Sequence, residues 1–220
     1  MQRILLIETS SRRCSVAVAR DGQICAERGV LDPEGYRHAE ALHPLISEVL
    51  EESGMAVREL TAIAAAQGPG SYTGLRIGLA AAKGLALPWD IPCYGISSLE
   101  VLAEAVREAV DDRNELPIWA ALDARRMEVY SAFFTNDGAR LSEDLPEVVD
   151  ESWPNRPAAW AGGDGVAKIQ AHWPQLRDSG VRYAEARHLL APLHRTVKCE
   201  PPVDPATWEP RYLKVFGSAL

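Results

Sequence analysis

Residues 4–22 read Ile4-Leu5-Leu6-Ile7-Glu8-Thr9-Ser10-Ser11-Arg12-Arg13-Cys14-Ser15-Val16-Ala17-Val18-Ala19-Arg20-Asp21-Gly22, and this stretch decides the fold. A continuous apolar run ends at an acid, the pattern of a buried strand running into a turn. Residues 14–19 then alternate before Asp21-Gly22, a dipeptide that closes tight hairpins, and residues 23–30 read as the third strand. The same succession returns later in the chain. Residues 118–122 are apolar, Asp123 follows, then the basic pair Arg125-Arg126, an alternating strand over 128–134 and the turn Asp137-Gly138. The acid-to-glycine spacing differs by one residue between the copies. A strand, acidic turn and strand met twice predict two lobes of common plan.

Helices and further strands fill the space between and after the copies. Leu42, Ile46, Val49 and Leu50 recur at helical spacing within 39–53, with Gly54 as the stop and Pro44 marking either a late start or a kink. Residues 60–66 form a buried-type strand, Gly68-Pro69-Gly70 breaks it, and 72–87 has helical composition up to Pro88. A short strand over 93–96 and a helix over 99–110, with Ser98 as its N-cap, complete the first half. The turn-prone stretch 111–117 separates an N-terminal lobe, 1–110, from a C-terminal lobe, 111–220. In the second lobe 158–160 reads as a strand, Gly162-Gly163-Asp164-Gly165 as a turn and 166–172 as a helix. Pro201, Pro202, Pro205 and Pro210 predict an extended arm over the surface. The fold class is α/β with two related lobes.

Composition narrows the function. The chain has 220 residues, 47% hydrophobic and 25% charged, which is ordinary globular usage. Its net charge of −8 argues against gripping nucleic acid alone, because phosphate neutralisation needs a basic surface. Cys14, Cys25, Cys93 and Cys199 form no C-x-x-C pair and read as reduced, packed thiols. The apolar run at 4–7 is far short of a signal core or a membrane span, so a cytoplasmic location is expected.

Four features could carry chemistry, and each has a plain packing reading. The loop Gly68-Pro69-Gly70-Ser71-Tyr72-Thr73-Gly74 lies between strand and helix, where free N–H groups could hold an anion. It matches neither the Walker loop nor the dinucleotide fingerprint, and a tight turn that fixes the helix on the sheet explains it equally well. Gly74, Gly78 and Ala82 stand four apart, so a second backbone must approach that stripe, from this chain or from a partner. His38 and His43 are five apart, about 140 degrees round a helix, which is poor for a shared metal. Glu8, Asp123 and Asp164 follow apolar strands, where they could position Mg²⁺ or water, or merely cap turns.

The run Gly68 to Gly78, the opening Ile7-Glu8-Thr9-Ser10 with Cys14-Ser15-Val16-Ala17-Val18, Gly95-Ile96-Ser97-Ser98-Leu99, Asp123-Ala124-Arg125 with Glu128-Val129-Tyr130, and Pro210-Arg211-Tyr212-Leu213 together resemble the TsaB family over nearly the whole chain. That resemblance implies the actin-like (ASKHA) fold, a plan the internal repeat also fits. It implies no catalytic residues, no metal and no cofactor: the metal-binding H-x-x-x-H of the related catalytic subunit TsaD is H-x-x-x-x-H here, and His43 departs from a position usually apolar. The function implied is a scaffold that dimerizes with TsaD and, with the ATPase TsaE, supports threonylcarbamoyl transfer to the tRNA adenosine beside the anticodon. Contact with tRNA is then made only through the complex, and the chain alone forms a homodimer. The self-association helices correspond to 39–53 and 72–87, so the implied interface comprises Leu42, Ile46, Leu50, Tyr72, Gly74, Leu75, Gly78, Leu79 and Ala82. The competing readings are a small nucleotidase or kinase acting alone on ATP and Mg²⁺, and a metal-dependent peptidase.

Overall fold

The structure is a computed structural model that describes residues 2–32, 37–110, 116–153 and 156–214. The first sheet contains β1 (Arg3–Glu8), β2 (Arg13–Arg20), β3 (Gln23–Leu31), β4 (Ala62–Gly68) and β5 (Cys93–Ser97) in the order β3-β2-β1-β4-β5. The second contains β6 (Ile118–Asp123), β7 (Glu128–Phe134), β8 (Leu145–Val148), β9 (Ala159–Gly162) and β10 (Leu176–Asp178) in the order β10-β9-β6-β7-β8. In each sheet the three hairpin-side strands pair antiparallel and the last two join in parallel, so the two sheets have one topology. The repeat in the sequence is thus a repeat of the whole sheet. Asp21 and Gly22 take φ of 50° and 82°, as the β2–β3 turn requires.

The helices are α1 (His38–Ser53), α2 (Tyr72–Ala86), α3 (Ser98–Ala109) and α4 (Leu190–Cys199). α1 and α2 cover one face of the first sheet, where Leu5, Ile7, Val16 and Val18 meet Leu42, Ile46, Val49, Leu79 and Ala82. The opposite face, with Ile4, Leu6, Ala17 and Ala19, is closed by Val101 and Ala105 of α3 and by Ala186, Leu189 and Leu193. α3 also seals the second sheet, through Leu99, Leu102 and Val106 against Ile118, Ala120, Ala132 and Phe134. The chain cut at 110/111 lies between the two sheets. The elements cross it, however: a first-half helix packs on the second sheet, and residues 184–193 return to the first.

Local details depart from the sequence reading in three places. α1 begins at His38 and contains Pro44 within it, so the helix does not start at the proline. Ser98 is the first residue of α3 rather than its cap; Ser97 holds the N-cap position, and the Ser98 hydroxyl instead accepts from Gly68 N–H at 3.2 Å. The helix expected over 166–172 shrinks to one 3₁₀ turn, Val166–Lys168, with Val166, Ile169 and Trp173 facing the core. Most of the stretch 111–117, read as the divider, lies outside the described residues.

Candidate functional site

The ends of β1 and β4 meet at the N-terminus of α2. Glu8 is buried, and its Oε1 accepts from Ser10 N–H at 2.7 Å and from the Ser10 hydroxyl at 2.5 Å, while Oε2 is buried without a hydrogen bond. Burial pushes its carboxyl up from 4.5 to about 7, against the lowering effect of the Ser10 contacts. The same turn then receives the glycine loop. Ser71 N–H donates to Ser10 O at 2.7 Å, Ser71 Oγ caps α2 by accepting from Gly74 N–H at 3.1 Å, and Gly68 N–H is held by Ser98. Three donors of the loop, the N–H groups of Gly68, Ser71 and Gly74, are thus spent inside the chain. Gly70, at φ +155°, leaves no room for a Cβ against Ser10 O.

The second lobe builds the same junction from different residues. Gly163, at φ +111°, and Gly165 press on Ala121 O, which accepts from Gly165 N–H at 3.1 Å. Asp164 Oδ1 accepts from Asp123 N–H at 2.8 Å, and Asp123 itself pairs with Lys168 Nζ at 2.6 Å. Burial raises the Asp164 carboxyl, and the nearby Asp123 charge adds to that. Asp123 and Asp164 are therefore neighbours, and Glu8 belongs to the other lobe. Among the described residues no group of three or more His, Cys, Asp or Glu side chains is arranged to hold a metal. His38 is buried, and burial holds its imidazole below the usual value; His43 is exposed.

In the single chain most of the interface residues expected from the resemblance face inward. Leu42, Ile46, Leu50, Leu79 and Ala82 belong to the core under α1 and α2, and Leu75 is fully buried beside them. Gly74 and Gly78 face Thr9: a Cβ at Gly74 would overlap Thr9 O, and one at Gly78 would overlap Thr9 Oγ1. The close approach that the small-residue stripe demands is thus made by the chain's own β1–β2 turn. Tyr72 alone of the nine is exposed, at 38%. The periodicity found the inward faces of two amphipathic helices, which is what burial selects whether or not a partner exists.

The outward face of α2 has its own construction. The Arg76 guanidinium lies 3.9 Å from the Tyr72 ring centre and 5.9 Å from that of Tyr212, its Nε donates to the Tyr212 hydroxyl at 2.9 Å, and the two rings stack at 5.1 Å. Tyr212 comes from the C-terminal arm, which has no periodic signal; only its place in the Pro210–Leu213 motif marked it. Upstream in that arm Val203 bridges to Cys93 and Trp208 is buried, with Nε1 donating to Gln67 at 3.2 Å.

Comparison with known proteins follows this geometry. Residues 24–154 match the family model described as TsaD: tRNA N6-adenosine threonylcarbamoyltransferase. The chain is 33% identical to the tRNA threonylcarbamoyladenosine biosynthesis protein TsaB of Escherichia coli over 86% of its length and 81% of that protein's. It is 36% identical to the TsaB of Haemophilus influenzae over 85% of its length and 83% of that protein's. The solved structure of YeaZ from Pseudomonas aeruginosa superposes with a TM-score of 0.81 at 26% identity, covering 97% of this chain and 100% of that one. The fold is accordingly the two-lobed, actin-like α/β fold, and no described helix is long and apolar enough to cross a membrane. The chain belongs to the TsaB family of tRNA threonylcarbamoyladenosine biosynthesis proteins.

Proposed function

We propose that this protein serves threonylcarbamoyladenosine biosynthesis as a non-catalytic scaffold, binding a TsaD-type catalytic subunit and acting with a TsaE-type ATPase on tRNA in the cytoplasm. Family membership supports the pathway. The observation that carries the non-catalytic reading is the filled junction in the first lobe. The N–H groups of Gly68, Ser71 and Gly74 are satisfied within the chain, and Glu8 lies buried with a carboxyl that holds its proton to about pH 7. A phosphate-cradling loop needs those donors open, and a Mg²⁺-positioning acid needs an open side, whereas Glu8 is 1% exposed. The partner surface is the outward face of α1 and α2, with His43, Ser47, Thr73, Arg76 and Ala80 beside Tyr72, in place of the buried side chains first expected. The same face would serve the homodimer in the absence of TsaD. The net charge of −8 leaves tRNA binding to the assembled complex.

The test is reconstitution. Purified chain mixed with its own TsaD-type protein should co-elute on size exclusion, and the modification should require both. ATP hydrolysis by the chain alone, at rates typical of a kinase, would replace this reading with the nucleotidase one.

A further inference from the structure

We infer that the C-terminal arm builds half of the partner surface: Tyr212 holds Arg76 as a pre-formed receptor for an acidic side chain of the partner. The inference rests on the scaffold reading above and adds to it the chemistry of recognition.

The arm is fixed from both sides of Tyr212. Arg211 N–H donates to Gln67 O at 2.7 Å, and Gly68, at φ +116°, admits the chain because a Cβ there would stand 2.5 Å from Arg211 O. The Arg211 guanidinium donates to Asp144 Oδ2 at 3.2 Å. Asp144 is a buried hub that also accepts from the Ser97 hydroxyl at 2.8 Å and from Arg140 at 2.5 Å. On the far side Lys214 donates to Ala124 O at 3.1 Å and pairs with Glu128. The arm is therefore strapped to the first sheet, to the β7–β8 connection and to the β6–β7 turn. Tyr212 sits where the strap crosses α2.

What the strap presents is a cation with its geometry already set. A free arginine loses side-chain entropy when it docks; here the Tyr72 ring and the Tyr212 hydroxyl have taken that loss in advance. A groove of ≈ 220 Å³ runs beside it between α2 and the arm, with Arg76 and Lys83 on the helix side, Leu79, Ala80 and Trp208 beneath, and Glu209 opposite. α2 carries no acid in its 15 residues, Tyr72–Ala86, so it is a cationic strip on a chain of net charge −8. Charge complementarity selects a carboxylate as its occupant, since a guanidinium fork pairs with a carboxylate in plane. In this arrangement Arg76 touches the partner, and Tyr212 is a positioning residue acting through it.

The experiment is calorimetric titration of the full chain with its TsaD-type partner, using wild type, Arg76→Ala, Tyr212→Phe and the double variant. Tyr212→Phe keeps the ring and removes only the hydroxyl that accepts from Arg76. Arg76→Ala should weaken binding about 30-fold, Tyr212→Phe roughly 3- to 10-fold, and the double variant no more than Arg76→Ala alone, with melting temperatures unchanged. Added salt should weaken wild-type binding and leave Arg76→Ala less affected. Wild-type affinity in Arg76→Ala, or effects that multiply in the double variant, would overturn the receptor while leaving the scaffold reading intact. Failure of the wild-type chain to bind would instead bring down the scaffold reading, and this inference with it.

Discussion

Glu8 and Asp123 occupy the same place in the two copies of the repeat, at the end of the first strand of each sheet, yet they live in opposite electrostatic conditions. Glu8 is sealed off, shares one oxygen with Ser10 and keeps its proton to about pH 7. Asp123 is exposed and paired with Lys168. The faces beyond them differ in the same way. Two helices cover the first sheet, and α2 comes close to the β1–β2 turn at Thr9 through Gly74 and Gly78. Among the described residues the corresponding face of the second sheet carries no α-helix; the 3₁₀ turn Val166–Lys168 and large side chains fill it, Trp119 meeting Trp153 and Trp173 edge to face at 6.2 and 5.5 Å. One topology therefore tolerates two ways of closing a face. The difference in lid sets the environment of the acid beneath.

The contrast can be broken most severely on the tryptophan side. Trp173 is 1% exposed and its Nε1 donates to Arg156 O at 3.0 Å. Trp173→Ala should lower unfolding free energy by about 3–5 kcal/mol in urea denaturation, the usual cost of emptying a buried tryptophan site. A loss below about 1 kcal/mol would mean that the second lobe contributes little to global stability.

The next test separates the two acids by pH. A carboxyl raised from 4.5 unfolded to about 7 folded binds its proton more tightly in the native state, so its contribution is intact at low pH and is lost as pH rises through that window. The loss amounts to about 3 kcal/mol at pH 8. Denaturation at pH 5, 6, 7 and 8 should show wild-type stability falling relative to Glu8→Gln by that amount; parallel profiles would show Glu8 ionised throughout. Taking the difference removes other titrations, such as that of His188, which burial holds below its usual value.

Gly78→Leu probes the close helix on the first sheet. A leucine there must displace Thr9, with overpacking costing about 1–3 kcal/mol against a helix gain of up to about 1 kcal/mol. A net loss of about 2 kcal/mol, or roughly 4–8 °C in Tm, is expected in the monomer itself. An unchanged melt with selective loss of association would return the stripe to a partner. The smallest effect belongs to Asp123→Asn: it removes an ion pair with an exposed member and should change stability by less than about 1 kcal/mol, vanishing in high salt.

Much of the site was legible, and what was missed has a common cause. The Gly68–Gly78 run marked the strand-to-helix junction correctly because φ-permissive and small residues are placed by local backbone demands. Apart from Tyr72, the interface residues chosen on the two helices face inward, because periodicity ranks the two faces of a helix without saying what lies on each. The Arg76–Tyr212 contact, 136 positions apart, joins a helix to an arm with no period of its own.

By itself the sequence determined the class, the two lobes and the hairpin that opens each, since apolar runs, alternation and Asp-Gly turns act over a few neighbouring residues. The tertiary structure alone decided that α3 closes the second sheet, that the glycine stripe meets Thr9, that Glu8 is buried while Asp123 is not, and that the arm returns across α2. Each of these depends on which distant surface arrives to cover a face. Local pattern fixes that a face must be covered, and only the packing of the whole chain fixes by what.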